Sequence, residues 1–324
     1  MTDKYPRYLN LLESGELKNR AEKLKENYKR CTLCPWDCRI DRTGGRLGVC
    51  KSTDKLKVAS STPHFGEEPM LVGAKGSGTI FFSNCVLRCK YCQNYQISHE
   101  GSGDEISDEQ LADMMIGLQK KGCHNINLVS PTHFIPNILN ALIIAAGKGL
   151  NIPLVYNTHG YEKAEILEFL DGVIDIYLPD IKYTNNDIAV KLSNAPKYVE
   201  YNKAALKEMY RQVGNLALND SGVAKKGLII RHLILPNDMA GSKKAYNFLV
   251  NEISKDIFIG VMSQYKPCFK AIEDPMLNRT LLPDEYHRAV RWAKEAGLHN
   301  ILTQELGSSE VYLPDFKKEE PFGN

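Results

Sequence analysis

The sequence predicts an α/β protein, a partial (β/α)6-type barrel with parallel strands, preceded by a small Cys-rich N-terminal module. Three observations lead there. From Gly76 onward, short β-type runs alternate with helical stretches, which implies parallel strands joined by right-handed crossovers. Before that point, Cys, Gly and Pro replace long periodic segments. The 324 residues suffice for one large domain with an appendage.

The elements follow in order. Residues 1–30 are rich in Lys and Glu, with apolar Leu11, Leu12, Leu17 and Leu24, and predict one or two surface helices. Residues 31–75 predict a loop-rich module of the kind a metal holds together. Thr79 to Phe82 begins the barrel as a short strand. Ser107 to Lys121 predicts a helix whose Leu111, Met114, Met115 and Leu118 share a face. Ser107 with Gln110 makes its capping box, and Gly122 suits its stop. Further strands are predicted at 126–129, 154–156, 173–178, 228–235, 257–262 and 300–302. Helices are predicted between them at 138–146, 162–170, 203–213, 243–253 and 283–296. The domain division is therefore 1–75 for the N-terminal module, 76–306 for the core and 307–324 for a tail. The tail is charged from Lys317 onward and is expected to fray.

Composition narrows the class. An apolar fraction of 43% with 25% charged residues is ordinary for a globular chain. Lys+Arg at 41 against Asp+Glu at 39 gives no basic surplus of the kind nucleic-acid binders carry. No apolar run is long enough to span a bilayer, and no secretory leader is visible at the start, so the expected location is cytoplasmic. In a reducing compartment, grouped cysteines read as metal ligands rather than disulfides. Cys123 and Cys268 stand alone and are expected to be buried, inert thiols.

The grouped cysteines carry the chemistry. Cys85, Cys89 and Cys92 follow the first barrel strand as Cys85-Val-Leu-Arg-Cys89-Lys-Tyr91-Cys92. Three thiolates can hold three irons of a cubane cluster and leave the fourth iron open to a cosubstrate. A zinc knuckle is the bland alternative, but structural zinc takes four ligands in a closed set. Cys31, Cys34, Cys38 and Cys50 supply four more thiols. These suit a structural zinc, a mononuclear iron or a second [4Fe–4S] cluster, or only some of them bind metal.

The CxxxCxΦC pattern, with Tyr91 in the aromatic place, resembles the signature of the radical S-adenosylmethionine (SAM) superfamily. Within it, the chain resembles the stand-alone homologues of pyruvate formate-lyase activating enzyme. The resemblance runs from about Gly76 to Glu305 in pattern, with the N-terminal cysteines as an extra module. It implies a [4Fe–4S] cluster that chelates SAM and reductively cleaves it to a 5′-deoxyadenosyl radical, which abstracts hydrogen from a substrate. It further implies that Asp180 of Asp180-Ile-Lys182, Asn157 of Asn157-Thr158, and Arg231 orient SAM. Where the branch usually carries Gly-Gly-Glu for the SAM ammonium, this chain reads Val129-Ser130-Pro131-Thr132-His133. Ser130 and Thr132 are the candidate replacements there, and His133 a candidate facing the substrate. The bland reading makes Asp180 and Asn157 turn residues, and His133, His159 and His232 neutral, hydrogen-bonded histidines.

Three functions remain in view. The first is a radical SAM enzyme, either activating a glycyl-radical protein or modifying a small molecule or peptide. It would take electrons from a low-potential donor such as flavodoxin or ferredoxin. The second is an iron–sulfur electron carrier or metal-held binding protein without SAM cleavage. The third, nucleic-acid modification, lacks a basic stripe to support it.

Overall fold

The chain is described by a computed structural model covering residues 4–307, 314–318 and 321–322. It opens with two helices, α1 (Tyr8–Glu13) and α2 (Glu16–Glu26), joined at Gly15, whose φ of 77° suits a residue without a side chain. The apolar stripe of α2 is Leu17, Ala21 and Leu24, and all three are buried. The stripe packs on α6 (Ile135–Gly147), so α2 is a core element and not merely a surface helix.

The next strand was not legible in the sequence. β1 (Leu56–His64) reads LKVASSTPH, with no alternation of apolar and polar residues and only two buried positions. It pairs antiparallel with β2 (Ser77–Phe82), for example Thr62 opposite Thr79, and with the short β3 (Asp104–Ile106). The expected loop-rich character thus ends near residue 55, because backbone pairing with β2 holds the segment after it extended. Between β1 and β2 lies one helical turn, α3 (Pro69–Val72).

Beyond β2 the alternation holds. β4 (Ile126–Val129), β5 (Leu154–Thr158), β6 (Ile176–Pro179), β8 (Ala224–Leu233), β9 (Phe258–Met262) and β10 (Asn300–Thr303) all run parallel to β2, while β7 (Ala217–Leu218) is a brief antiparallel partner of β8. The sheet order is β10-β9-β8-β6-β5-β4-β2-β1-β3, an open curved sheet. A short α4 (Tyr95–Ser98) follows the cysteine loop, and α5 (Asp108–Lys120) starts at the expected capping box of Ser107 and Gln110. The helix expected at 162–170 shrinks to α7 (Ala164–Leu167) plus a 3-10 turn. The insertion before β7 forms α8 (Asn186–Ser193) as well as α9 (Tyr198–Val213), which begins earlier than expected. The last helices are α10 (Ser242–Glu252) and α11 (Pro283–Glu295).

Strand alternation divides the core. Tyr156, Tyr177, Leu228 and Ile230 belong to the large core shared with the helices. Val155, Ile176, Leu178 and Ile229 belong to a second core, filled by Met70 and Leu71 of α3. The segment between β1 and β2 therefore plugs the sheet's inner face.

The tail departs from expectation. Phe316 is buried, and its ring lies 5.2 Å from that of Phe81, with Phe322 at 5.3 Å from the same ring. Gln96 donates to Asp315 and accepts from the Phe316 amide at 2.7 Å. Two phenylalanines in a charged segment dock it, and the charge pattern alone concealed this. Residues 308–313, 319–320 and 323–324, which belong to the expected tail, lie outside the described residues. Among the described residues no helix is long and apolar enough to cross a membrane.

Candidate cluster and cofactor site

The loop after β2 carries Cys85, Cys89 and Cys92, and each sulfur has a hydrogen-bond partner. The Leu87 amide donates to Cys85 Sγ at 3.4 Å, Ser193 Oγ donates to Cys89 Sγ at 3.0 Å, and Ser98 Oγ lies 3.1 Å from Cys92 Sγ. Such contacts suit thiolate ligands, which only accept. Burial pushes the Cys85 thiol up to about 12 and Cys92 up to about 11, and the neighbouring Cys89 adds to both. A metal binding there would have to displace their protons. Among the described residues, no group of three or more His, Cys, Asp or Glu stands ready-made to hold a single metal ion. The donor set is three thiols on one loop, which fits a cluster that spreads its ligands over several irons. Tyr91 is buried; its hydroxyl lies 2.5 Å from that of Tyr183, which lies 2.5 Å from Ser193 Oγ. A chain of hydroxyls thus runs from the aromatic of the motif back to Cys89. Cys268 is buried and donates to the Tyr91 carbonyl at 3.4 Å.

Cys89, Tyr91 and Cys92 open onto a cavity of about 730 Å³ at the carboxyl ends of the strands. Asn157, Asp180, Lys182 and Arg231 line it too. Arg231 Nε donates to Asp180 Oδ1 at 3.0 Å, and its NH2 donates to Asn157 Oδ1 at 2.6 Å. Lys182 Nζ donates to the other Asp180 oxygen at 2.7 Å. Burial alone would raise Asp180, but Lys182 and Arg231 outweigh it and hold the carboxyl below the usual range. Burial works against the charge of Arg231, and Asp180 with the two nearby glutamates more than restores it.

Three further carboxylates were not expected, Glu305 and a pair before β2. Glu67 and Glu68, from the plug between β1 and β2, line the same cavity. Glu67 pairs with Arg231 NH1 at 3.4 Å and accepts from Asn157 Nδ2 at 3.3 Å. The only sequence signal is two adjacent acids in Gly66-Glu67-Glu68-Pro69, in a stretch otherwise poor in charge.

Other candidates fall elsewhere. Neither Ser130 nor Thr132 lines the cavity. Ser130 sits at a φ of 56° with its amide bonded to the Asn157 carbonyl, and the Thr132 hydroxyl donates to buried Glu162 at 2.6 Å. His133 is turned to the Ser83 carbonyl at 2.9 Å, and burial pulls its pKa down to about 3. His159 accepts from the Tyr161 amide, and His232 sits between the Ile181 carbonyl and Ser242. All three are buried and hydrogen-bonded, and none of them lines the cavity.

The N-terminal cysteines sit behind the cluster loop. Cys31, Cys34 and Cys50 are buried, and Cys38 is half-buried. A methyl group on Gly48 would touch Cys38 Sγ at 3.4 Å and Cys50 Sγ at 3.6 Å, so these two sulfurs face one small space. Burial pushes the Cys34 thiol up, and the other three cysteines of the set add to it. Arg42, 1% exposed, lies 3.8 Å from Cys31 Sγ and donates to the carbonyls of Thr53 and His133. The module is stitched to the cluster loop: Trp36 Nε1 donates to the Val86 carbonyl at 2.7 Å, and Arg88 donates to the Val49 carbonyl at 2.8 Å.

The fold and this loop define an α/β protein that presents three thiols at the end of its first parallel strand, beside a cavity ringed by paired charges. The chain belongs to the radical SAM superfamily, whose family model matches residues 79–219. It is 30% identical over 303 residues to the uncharacterized protein MJ0674 of Methanocaldococcus jannaschii, covering 90% of this chain and 82% of that one. Among solved structures it is similar to a domain of pyruvate-formate lyase-activating enzyme from Bacteroides vulgatus, with 12% identity and a TM-score of 0.35 over 61% of this chain and 91% of that one. It is also similar to the FeFe-hydrogenase maturase HydG from Carboxydothermus hydrogenoformans, with 15% identity and a TM-score of 0.46 over 71% of this chain and 54% of that one. Membership implies a [4Fe–4S] cluster, SAM and a source of electrons.

Proposed function

We propose that this enzyme cleaves SAM reductively in the cavity beside Cys89 and Cys92 and uses the product to abstract hydrogen from a substrate. One observation carries the reading: two thiols of the cluster loop and the Asn157–Asp180–Arg231 network line a single cavity. A cluster held there would pass one electron from an external donor to SAM, cleaving it to methionine and the 5′-deoxyadenosyl radical. Cys85, Cys89 and Cys92 are the residues that would hold it. Arg231 offers its guanidinium to a carboxylate of the ligand, a charge-assisted contact. Asp180 and Asn157 fix that guanidinium, and Lys182 keeps Asp180 ionised. Phe322, whose ring lies against Phe81, adds an apolar wall to the cavity.

The substrate is either a glycyl-radical protein or a small molecule or peptide, and the donor a low-potential flavodoxin or ferredoxin in the cytoplasm. We infer too that residues 1–75 are a metal-braced module in which Cys31, Cys34, Cys38 and Cys50 hold zinc or an iron–sulfur centre. The space facing Gly48 and the buried cation of Arg42 support this.

The test is anaerobic reconstitution with iron and sulfide, then dithionite and SAM, with chromatography for 5′-deoxyadenosine. Its formation, abolished in Cys89→Ala, is the expected result. A fully loaded protein that leaves SAM intact would instead be an electron carrier or a metal-held binding protein.

A further inference from the structure

The cavity wall carries a set of direct ion pairs and, beside them, the carboxyl of Glu68, with Lys266 and Glu305 elsewhere on the lining. Arg231 and Lys182 are balanced by Asp180 and Glu67, with which they make direct contacts. Glu68 is left over. Its Oε2 is buried and has no hydrogen-bond partner among the described residues, a costly state for a carboxyl group that leaves it open to a donor. The side chain stands beside Glu67 at the cavity wall, on the plug that fills the sheet's inner face. Opposite it is Gly260, where a methyl group would lie 3.8 Å from Glu68 Oε1, so the absence of a side chain there leaves room over the carboxyl.

We propose that Glu67 and Glu68 form a subsite for a primary ammonium group of a bound reactant, either the amino group of SAM itself or that of the molecule the enzyme acts on. An ammonium brings three donors and one positive charge, which satisfies the unpartnered oxygen and ionises Glu68. It rests on the proposed use of this cavity for SAM. The groups facing Glu68 are Glu67, Arg231 and His64. Burial and the Glu67 charge push Glu68 up to about 8, with Arg231 opposing, so at neutral pH it holds a proton that an entering ammonium would expel. The pair reaches the cavity from the segment before β2, away from Ser130 and Thr132, neither of which lines it.

The experiment is anaerobic calorimetry on cluster-reconstituted wild-type and Glu68→Gln proteins at neutral pH. Titrations use SAM, then n-butylammonium chloride against the SAM-saturated protein, in two buffers of different protonation heat. If the subsite takes the SAM amino group, Glu68→Gln weakens SAM binding by about 10- to 100-fold, the loss typical of a charged hydrogen bond. If it takes the other reactant, SAM binding stays unchanged and butylammonium binding is lost. In either case the wild type releases a proton that the variant does not, and this wild-type reading stands even if the variant folds poorly. Equal affinities in both arms, or no proton release by the wild type, would overturn the subsite. A wild type that fails to bind SAM would sink the proposed use of the cavity instead, and n-butylammonium titrated into the SAM-free proteins would still decide the role of Glu68.

Discussion

Ser193 Oγ donates to Cys89 Sγ at 3.0 Å, joining the end of α8 to the cluster loop across 104 residues. The same hydroxyl lies 2.5 Å from Tyr183, which lies 2.5 Å from Tyr91. A cluster ligand is thereby held by a buried polar chain that begins at the aromatic residue of its own motif.

Removing that donor should change the cluster more than the fold. Hydrogen bonds to cluster sulfurs stabilise the reduced, more negative state, so Ser193→Ala is expected to make the reduction potential more negative. The expected stability loss is only about 1 kcal/mol. Redox titration followed by electron paramagnetic resonance reads the first, and urea unfolding the second. An unchanged potential with iron content intact would mean that Ser193 merely packs against the sulfur.

Arg231 holds three acceptors at once: Asp180, Asn157 and Glu67. Arg231→Met would strand the Glu67 carboxylate and leave Asp180 to Lys182 alone. Breaking a buried ion pair from one side costs about 3–5 kcal/mol, and a loss of that order is expected. Arg231→Lys keeps the charge but not the planar fork, so it should recover only part of the loss. Denaturant midpoints of the two variants, compared at equal cluster content, check this ordering.

Much of this architecture is legible in the sequence. The inner parallel strands such as β2 and β5 announce themselves as short apolar runs, because a strand buried on both faces needs no polar alternation. Ser107 and Gln110 mark a helix start by a local rule, and the structure has that cap. The cysteine spacing and the Asp180 and Arg231 positions lead to one cavity. What stayed hidden depends on partners far along the chain. β1 has a polar sequence and exists through its pairing with β2. Glu67 and Glu68 look like surface acids until the plug carries them inside. Thr132 looked free to meet a ligand, and only the fold reveals Glu162 behind it.

Arg42 is almost fully buried, and among the described residues none of its hydrogen bonds goes to a carboxylate. Its charge faces Cys31, and its guanidinium stacks 4.4 Å from the centre of the Tyr28 ring. Thiolates on a metal at the N-terminal cysteines would provide the missing countercharge. Arg42→Met is therefore expected to lower the metal bound at those four cysteines, beyond the roughly 1–3 kcal/mol of stability lost with its carbonyl contacts. Metal-to-protein ratios in a background lacking Cys85, Cys89 and Cys92 isolate the second site. An undiminished ratio would count against a countercharge role.

Glu162 gives the fold a pH dependence with a definite sign. It accepts from Thr132 and Thr158, but its Oε2 is buried without a hydrogen-bond partner among the described residues. Burial raises its carboxyl from 4.5 to about 7, with the threonine hydroxyls opposing. Between those values the folded chain holds a proton that the unfolded chain has released. Stability from this group is therefore fully present below pH 4.5 and is lost as pH rises through about 7. The shift corresponds to about 3 kcal/mol at the alkaline end. Glu162→Gln keeps an oxygen for the two threonines and removes the titration. The variant is expected to gain on the wild type as pH rises from 5 to 8, with a flatter profile of unfolding free energy against pH. Parallel profiles for the two proteins would show that Glu162 does not titrate in that range.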